Sequence, residues 1–189
     1  EVNDRIPLTL DAAHEEAVAE RHALGRRTAR ENLADLLDEG SFNEFGPPAA
    51  GSVEGGTVMG IGTINADLVG EQQGRVAVIH NDYLMANYTH GHYKQEQVHE
   101  LARDFRVPIV LFSEGEGRPY GPLEGVGMDA SIFTDFARLS GLVPLVGVNT
   151  GDSFAGNATL LACCDVIIAT EGSTIGVSAP AVVEASGMG

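Results

Sequence analysis

Two loops in this 189-residue chain are built to present backbone N–H groups rather than reactive side chains. The first, Phe112-Ser113-Glu114-Gly115-Glu116-Gly117-Arg118-Pro119, follows a short apolar run, so it sits where sites form at the carboxyl end of an α/β sheet. The second, Asn149-Thr150-Gly151-Asp152-Ser153-Phe154-Ala155-Gly156-Asn157-Ala158, leads from another such run into an apolar helical stretch. A helix N-terminus gathers unpaired N–H groups and the positive end of the dipole, which suits a developing oxyanion. Ala155 and Gly156 have almost no side chain, so a substrate carbonyl could reach the backbone there. Each loop alone has a plain alternative: a tight solvated turn for the first, close helix–sheet packing for the second. Taken together they offer one N–H each to a single carbonyl oxygen, a pocket for an enolate or tetrahedral intermediate with no conspicuous catalytic side chain.

The remaining chemistry-bearing residues form weaker patterns. Gly115-x-Gly117 lacks the third glycine of a dinucleotide fingerprint and the Lys-Ser/Thr pair of a P-loop. His80, His90, His92 and His99 lie near Asp82, but no HExxH or comparable metal spacing occurs, so no metal is expected. Ser113 and Ser153 lack a GxSxG elbow and identifiable His–Asp partners. Cys163 and Cys164 are adjacent, end an apolar helix and have no basic neighbour, which reads as core. Arg21, Arg26, Arg27 and Arg30 place four of the eleven basic residues within ten positions. They are either an anion site suited to phosphates or ordinary helix-surface pairs with Glu20 and Glu31.

Composition narrows the surroundings. Twenty-seven acids against eleven bases give a net charge of −16, which repels nucleic acid and anionic lipid and argues against both as partners. The longest apolar run, 155–169, is broken by Asn157, Thr159 and Asp165 and is too short to span a bilayer. The first residues are acidic and polar, unlike a signal peptide, so the expected compartment is the cytoplasm.

The elements that must position the loops follow from patterning. Residues 10–24 are rich in Ala, Glu and Leu and end at Gly25, which predicts a helix. Thr28 and Glu31 form a capping box for a second helix with Leu33, Leu36 and Leu37 on one face. Residues 46–56 read as a flexible loop. Beyond them, β-branched runs at 57–64, 75–80, 107–112, 143–148, 166–169 and 173–177 alternate with helical stretches at 92–106, 125–140 and 154–164. Alternation of this kind predicts an α/β domain with much parallel sheet, covered on both faces. The strand–loop–helix unit recurs about every 35–40 residues, which suits a spiral of similar turns. The expected organisation is an N-terminal helical segment (1–45), the loop (46–56) and the α/β unit (57–189).

Two stretches carry a family resemblance. FAGNATLLACCDVIIATEGSTIGVSAPAVVEA resembles the crotonase superfamily where an oxyanion-hole glycine opens a helix. RHALGRRTARENLADLLDEGSFNEFG resembles the N-terminal helices of carboxyltransferase β subunits of acyl-CoA carboxylases. The likeness continues through a GxGTI-type strand at 60–64 and a VxxxDY-type segment ending at Asp82 and Tyr83. It implies a ClpP/crotonase-like ββα spiral, incomplete and preceded by N-terminal helices. The Glu114–Pro119 loop and the FAGNA segment look closer to carboxyltransferases fused to biotin carboxylase and carrier domains.

The resemblance also implies a function. A carboxyl group would pass from carboxybiotin, held on a separate carrier domain, to the α-carbon of an acetyl-, propionyl- or longer acyl-CoA through an enolate. The N–H of Gly115 or Glu116 and that of Gly156 are the implied oxyanion donors. Gly117 and Ala155 would line the acyl thioester, and Arg26, Arg27 and Arg30 would face the phosphates of CoA. Glu116 departs from the family's glycine. Where enoyl-CoA hydratases carry two catalytic glutamates this chain has Thr159 and Ala179, which argues against hydration. The implied partners are the biotin carboxyl carrier, the biotin carboxylase, a second carboxyltransferase subdomain and further copies in a homo-oligomer. Because the likeness covers most of the first of two family domains, the chain is expected to be inactive alone. The same enolate pocket would also serve a biotin-independent malonyl-thioester decarboxylase or lyase, and the fold alone a non-catalytic scaffold.

Overall fold

A computed structural model describes residues 6–45, 57–82, 91–115 and 130–187; of 91–94, 130 and 131 only the backbone is described. Two 3-10 turns, Ile6–Thr9 and Asp11–Ala13, precede helices α1 (Glu15–Ala23) and α2 (Ala29–Leu36). Then follow β1 (Asn43–Glu44), β2 (Thr57–Thr63), the short helices α3 (Ala66–Val69) and α4 (Glu71–Gly74), and β3 (Arg75–Asn81). The chain continues through α5 (Gly91–Phe105), β4 (Ile109–Phe112), α6 (Ala130–Ala137), β5 (Leu145–Asn149) and β6 (Asp152–Phe154). It closes with α7 (Ala155–Ala162), β7 (Val166–Ala169), β8 (Thr174–Gly176) and α8 (Pro180–Ala185).

Six strands make one sheet in the order β1-β2-β3-β4-β5-β7. The first two pairings are antiparallel, and β3 to β4, β4 to β5 and β5 to β7 are parallel. A second small sheet pairs β6 with β8 in parallel. The expected parallel α/β architecture is therefore present, with β6 as an addition. Its three residues are too few and too polar to register as a strand in the sequence.

Residue alternation splits the core across the sheet. Ala77, Ile79, Ile109, Leu111 and Leu145 face α5, α6 and α7 with Val98, Phe136 and Leu160. Val76, Val78, Val110 and Phe112 face the opposite way, onto Ala29, Leu33 and Leu37. The N-terminal helices thus share a hydrophobic layer with the sheet, and β1 adds to its edge. The capping box forms as the sequence predicts: the Thr28 hydroxyl accepts from the Glu31 N–H, and Glu31 accepts from the Thr28 N–H. That N–H, with His22, holds the Glu31 carboxyl below its ordinary pKa. The first predicted helix is shorter than expected, because residues 11–13 form a separate 3-10 turn before α1.

Close packing of α7 on β5 depends on Gly147, where a Cβ would come within 2.5 Å of a Leu161 methyl. Cys163 and Cys164 pack beside this core, and burial pushes the Cys164 thiol up to about 12, so it stays protonated. Edge strand β7 leaves Val166, Ile167 and Ile168 about half exposed. No described helix is long and apolar enough to cross a membrane. The expected flexible loop, 46–56, lies outside the described residues.

Candidate active site

The carboxyl ends of β3, β4 and β5 converge with the N-terminus of α7. At the end of β4 the chain does not turn away at once. Gly115 bridges to Ser153 of β6, its N–H donating to the Asp152 carbonyl at 2.6 Å while its own carbonyl accepts from the Phe154 N–H at 3.0 Å. The Gly115 N–H therefore already has an acceptor, because this residue forms an isolated parallel bridge with β6. Glu116 and Gly117 lie outside the described residues.

Opposite this bridge, Ala155 opens α7 in left-handed backbone, with φ of 49°. A non-glycine residue there is strained by about 1–2 kcal/mol, a feature that often marks working sites. The strain is held by the β6–β8 pairing and by the Ala155 N–H, which donates to the Val177 carbonyl at 3.1 Å. Gly156 comes next. Its N–H lies in the first helical turn, and the Asp152 carbonyl four residues back is taken by Gly115. Gly156 is only half-buried, and a Cβ on it would press to 3.1 Å from the Phe133 ring. Close access to its backbone is thus kept by the absence of a side chain.

The two segments are tied together by side chains. The Glu114 carbonyl accepts one amide proton from Asn81 at 2.9 Å and one from Asn157 at 3.0 Å. The Ser113 hydroxyl donates to the Asn157 carbonyl at 3.0 Å and lies 2.6 Å from the Ser153 hydroxyl. These serines are partnered with each other and with backbone, so neither is arranged as a nucleophile. His80 sits at the end of β3 with its Nε2 accepting from the Asn32 amide at 3.0 Å and its Nδ1–H donating to the Asn81 carbonyl at 2.7 Å. Its ring stacks on Phe112 with centroids 4.5 Å apart. Burial above all, and then the nearby Arg21 charge, lower its pKa to about 4, so it is neutral at pH 7.

The four arginines separate. The buried Arg21 guanidinium grips the Glu114 carboxylate with Nη2 to Oε2 at 2.9 Å and Nη1 to Oε1 at 3.3 Å. Arg26 reaches the same carboxylate at 3.6 Å and Asp152 at 2.6 Å. Arg27 pairs with Asp35 on the surface, which raises its pKa, and Arg30 pairs with Glu44 at 3.1 Å. Of the surface partners expected for them, Glu31 meets Arg27 only through its backbone carbonyl. Sequence reasoning missed the Arg21–Glu114 pair, the two asparagines and β6. The arginine clustering was a signal, but its acid partners lie 93 and 126 residues away. His99 packs on Phe136 whereas His80 stacks on Phe112, and the described His, Cys, Asp and Glu residues form no group of three fit for a metal.

A mostly parallel sheet, a small second sheet beside it and a helix with a glycine in its first turn define a protein of crotonase fold. A family model described as the carboxyl transferase domain matches residues 20–187, and the chain belongs to that family. It is 32% identical over 160 residues to a propionyl-CoA carboxylase beta chain of Saccharopolyspora erythraea, a match covering 77% of this chain and 28% of that protein. A solved single-chain, multi-domain long-chain acyl-CoA carboxylase is 40% identical with a TM-score of 0.89, covering all of this chain and 20% of that one. The transcarboxylase 12S hexamer, solved with methylmalonyl-CoA and methylmalonic acid bound, is 25% identical with a TM-score of 0.74 over 89% of this chain and 34% of that one. The chain therefore spans about a third or less of these relatives' length.

Proposed function

We propose that this chain contributes the acyl-CoA side of a biotin-dependent carboxyltransferase, moving a carboxyl group onto the α-carbon of an acyl-CoA. The observation that supports the proposal is the half-buried first turn of α7, where the Asp152 carbonyl that would take the Gly156 N–H within the helix is occupied by the Gly115 N–H. A donor set of neutral N–H groups, with the neighbouring Arg21 and Arg26 already matched by Glu114 and Asp152, suits a thioester oxygen better than a phosphate.

Carboxybiotin, delivered by a carrier domain, supplies the carboxyl group. The chain's own residues then act on the acyl thioester. The Gly156 N–H and, in this reading, the Glu116 N–H would donate to the thioester oxygen and stabilise the charge that gathers there as the α-proton passes to the biotin that has given up its carboxyl group. Each such donor is worth about 10²–10³ in rate. Gly117 and Ala155 give the thioester room. No glutamate stands on α7 to hydrate a double bond: Thr159 turns its hydroxyl to the Ala155 carbonyl at 3.0 Å, and Ala179 caps α8. The exposed Arg27 and the part-buried Arg30, which are not held by Glu114 or Asp152, would meet the CoA phosphates, exchanging Asp35 and Glu44 for them. The carrier, the biotin carboxylase, a second carboxyltransferase subdomain and further copies of the chain complete the enzyme.

The test is fixation of labelled bicarbonate into acetyl-, propionyl- and longer acyl-CoAs by the complete enzyme with ATP, with and without avidin. Avidin-sensitive fixation is expected. Release of CO2 from malonyl-CoA without biotin, and no fixation, would overturn the proposal in favour of a decarboxylase.

A further inference from the structure

Among the described residues, Glu114 draws partners from α1, the α1–α2 link, β3 and α7. Its side chain is only 2% exposed. Arg21 of α1 takes the carboxylate in a two-pronged pair, and Arg21 is itself aimed by donating from Nε and Nη2 to the Arg27 carbonyl at 3.1 and 2.7 Å. Arg26 approaches from the same side. The carboxylate lies against Gly151 in the β5–β6 turn, where a Cβ would run into Oε1. The backbone carbonyl of Glu114 receives Asn81 from the end of β3 and Asn157 from α7.

The last contact matters most. Asn157 directly follows Gly156, and Glu114 directly precedes Gly115 and the loop beyond it. One residue thus joins the two segments on which the proposed oxyanion donors sit. A buried ion pair is weak evidence of stabilisation, since an apolar pair of similar volume often does as well. A two-pronged guanidinium–carboxylate contact does supply direction, because its geometry admits one orientation.

We propose that Glu114, held by Arg21, is a positioning residue that sets the spacing between the β4 loop and the first turn of α7, and so governs turnover of the acyl thioester rather than its binding. The inference rests on the carboxyltransferase reading. A displacement of about 1 Å in such a donor is enough to lose two orders of magnitude in rate.

The experiment uses the complete enzyme and follows carboxyl transfer from malonyl-CoA to free biocytin, alongside avidin-sensitive bicarbonate fixation. Glu114→Gln keeps the side-chain shape and the carbonyl, and Arg21→Lys keeps the charge but loses the fork. Both are expected to lower kcat at least tenfold while KM for the acyl-CoA stays within twofold, with rates counted per site that binds acyl-CoA. Normalised in this way, a merely structural role predicts parent-like kcat, and that result would overturn the inference. Where either charge variant does not accumulate folded, Asn157→Ala decides, because it leaves no charge buried. A fall in kcat at constant KM supports the positioning role, and an unchanged kcat ends it. A parent enzyme that neither fixes bicarbonate nor carboxylates biocytin overturns the carboxyltransferase reading itself. An active parent with an equally active Glu114→Gln variant overturns only this inference.

Discussion

His80 and His99 are both almost fully buried, and both are held neutral with pKa values near 4, yet their surroundings differ. At the site end of the sheet His80 has a partner for each ring nitrogen and a ring to stack on. In the α5–α6 layer His99 touches Phe136 at 5.2 Å between centroids, and neither of its nitrogens has a hydrogen-bond partner among the described residues. The site end is organised by polar contacts between distant segments: Arg21 to Glu114, Asn32 to His80, Asn157 to Glu114. The helical layer is organised by apolar packing, with Val98, Phe136 and Leu139 buried between the helices and the sheet. Packing tolerates an occasional unpaired polar group. Placement of backbone donors does not, since directional bonds are what fix them.

The sharpest way to break this contrast is Arg21→Met, which leaves the Glu114 carboxylate buried without its two-pronged partner. We expect a loss of about 3–5 kcal/mol in urea titration, whereas Asp35→Ala, on the solvent-exposed Arg27 pair, should barely move the urea midpoint. Equal effects would mean that the inner pair is no more integrated than the surface one.

Gly156→Pro comes next. Proline fits the first helical turn but deletes the N–H, so kcat should fall about 10²–10³-fold. Gly156→Ala introduces the same crowding against Phe133 and keeps the donor, so its rate should stay far closer to the parent. Comparable losses in the two would assign the effect to sterics.

Acidification separates the two histidines. Both folded values lie below the ordinary 6.5, so the unfolded chain takes up protons first. Stability from these groups is fully present above about pH 6.5 and is lost as pH falls towards about 4, by up to about 3 kcal/mol for each. His99→Leu should remove its share of that acid slope with little change at pH 7, because it strips no partner of a bond. His80→Leu should destabilise at pH 7 by about 1–3 kcal/mol, since the Asn32 amide loses its acceptor. An unchanged acid slope in His99→Leu, measured by unfolding between pH 7 and 4, would remove His99 as its source.

Smallest is the cap. Thr28→Ala should lower stability by about 1 kcal/mol, seen in the urea midpoint, through loss of the bond to the Glu31 N–H.

Local features were readable in the sequence because they depend on neighbours a few positions apart. The capping box at Thr28 and Glu31 was fully legible, since both partners lie within one turn. So were the parallel strands, each a β-branched run between helical stretches, and the glycine at the head of α7. The short strand β6 was not, because Asp152, Ser153 and Phe154 become a strand only when Thr174, Ile175 and Gly176 lie alongside. Nor could the sequence tell that Gly115 would give its N–H to the Asp152 carbonyl.

The arginines mark the boundary most clearly. Their clustering, and the resemblance of the surrounding helices to a carboxyltransferase, belong to the sequence alone. Which acid each one meets was decided by the tertiary fold. Glu114 and Asp152 come from strands far along the chain, and only the packing of α1 and α2 onto the site end of the sheet brings them within hydrogen-bonding distance. Helix caps and strand patterns report short-range geometry, whereas a buried ion pair forms only where folding has brought distant charges together and excluded water from them.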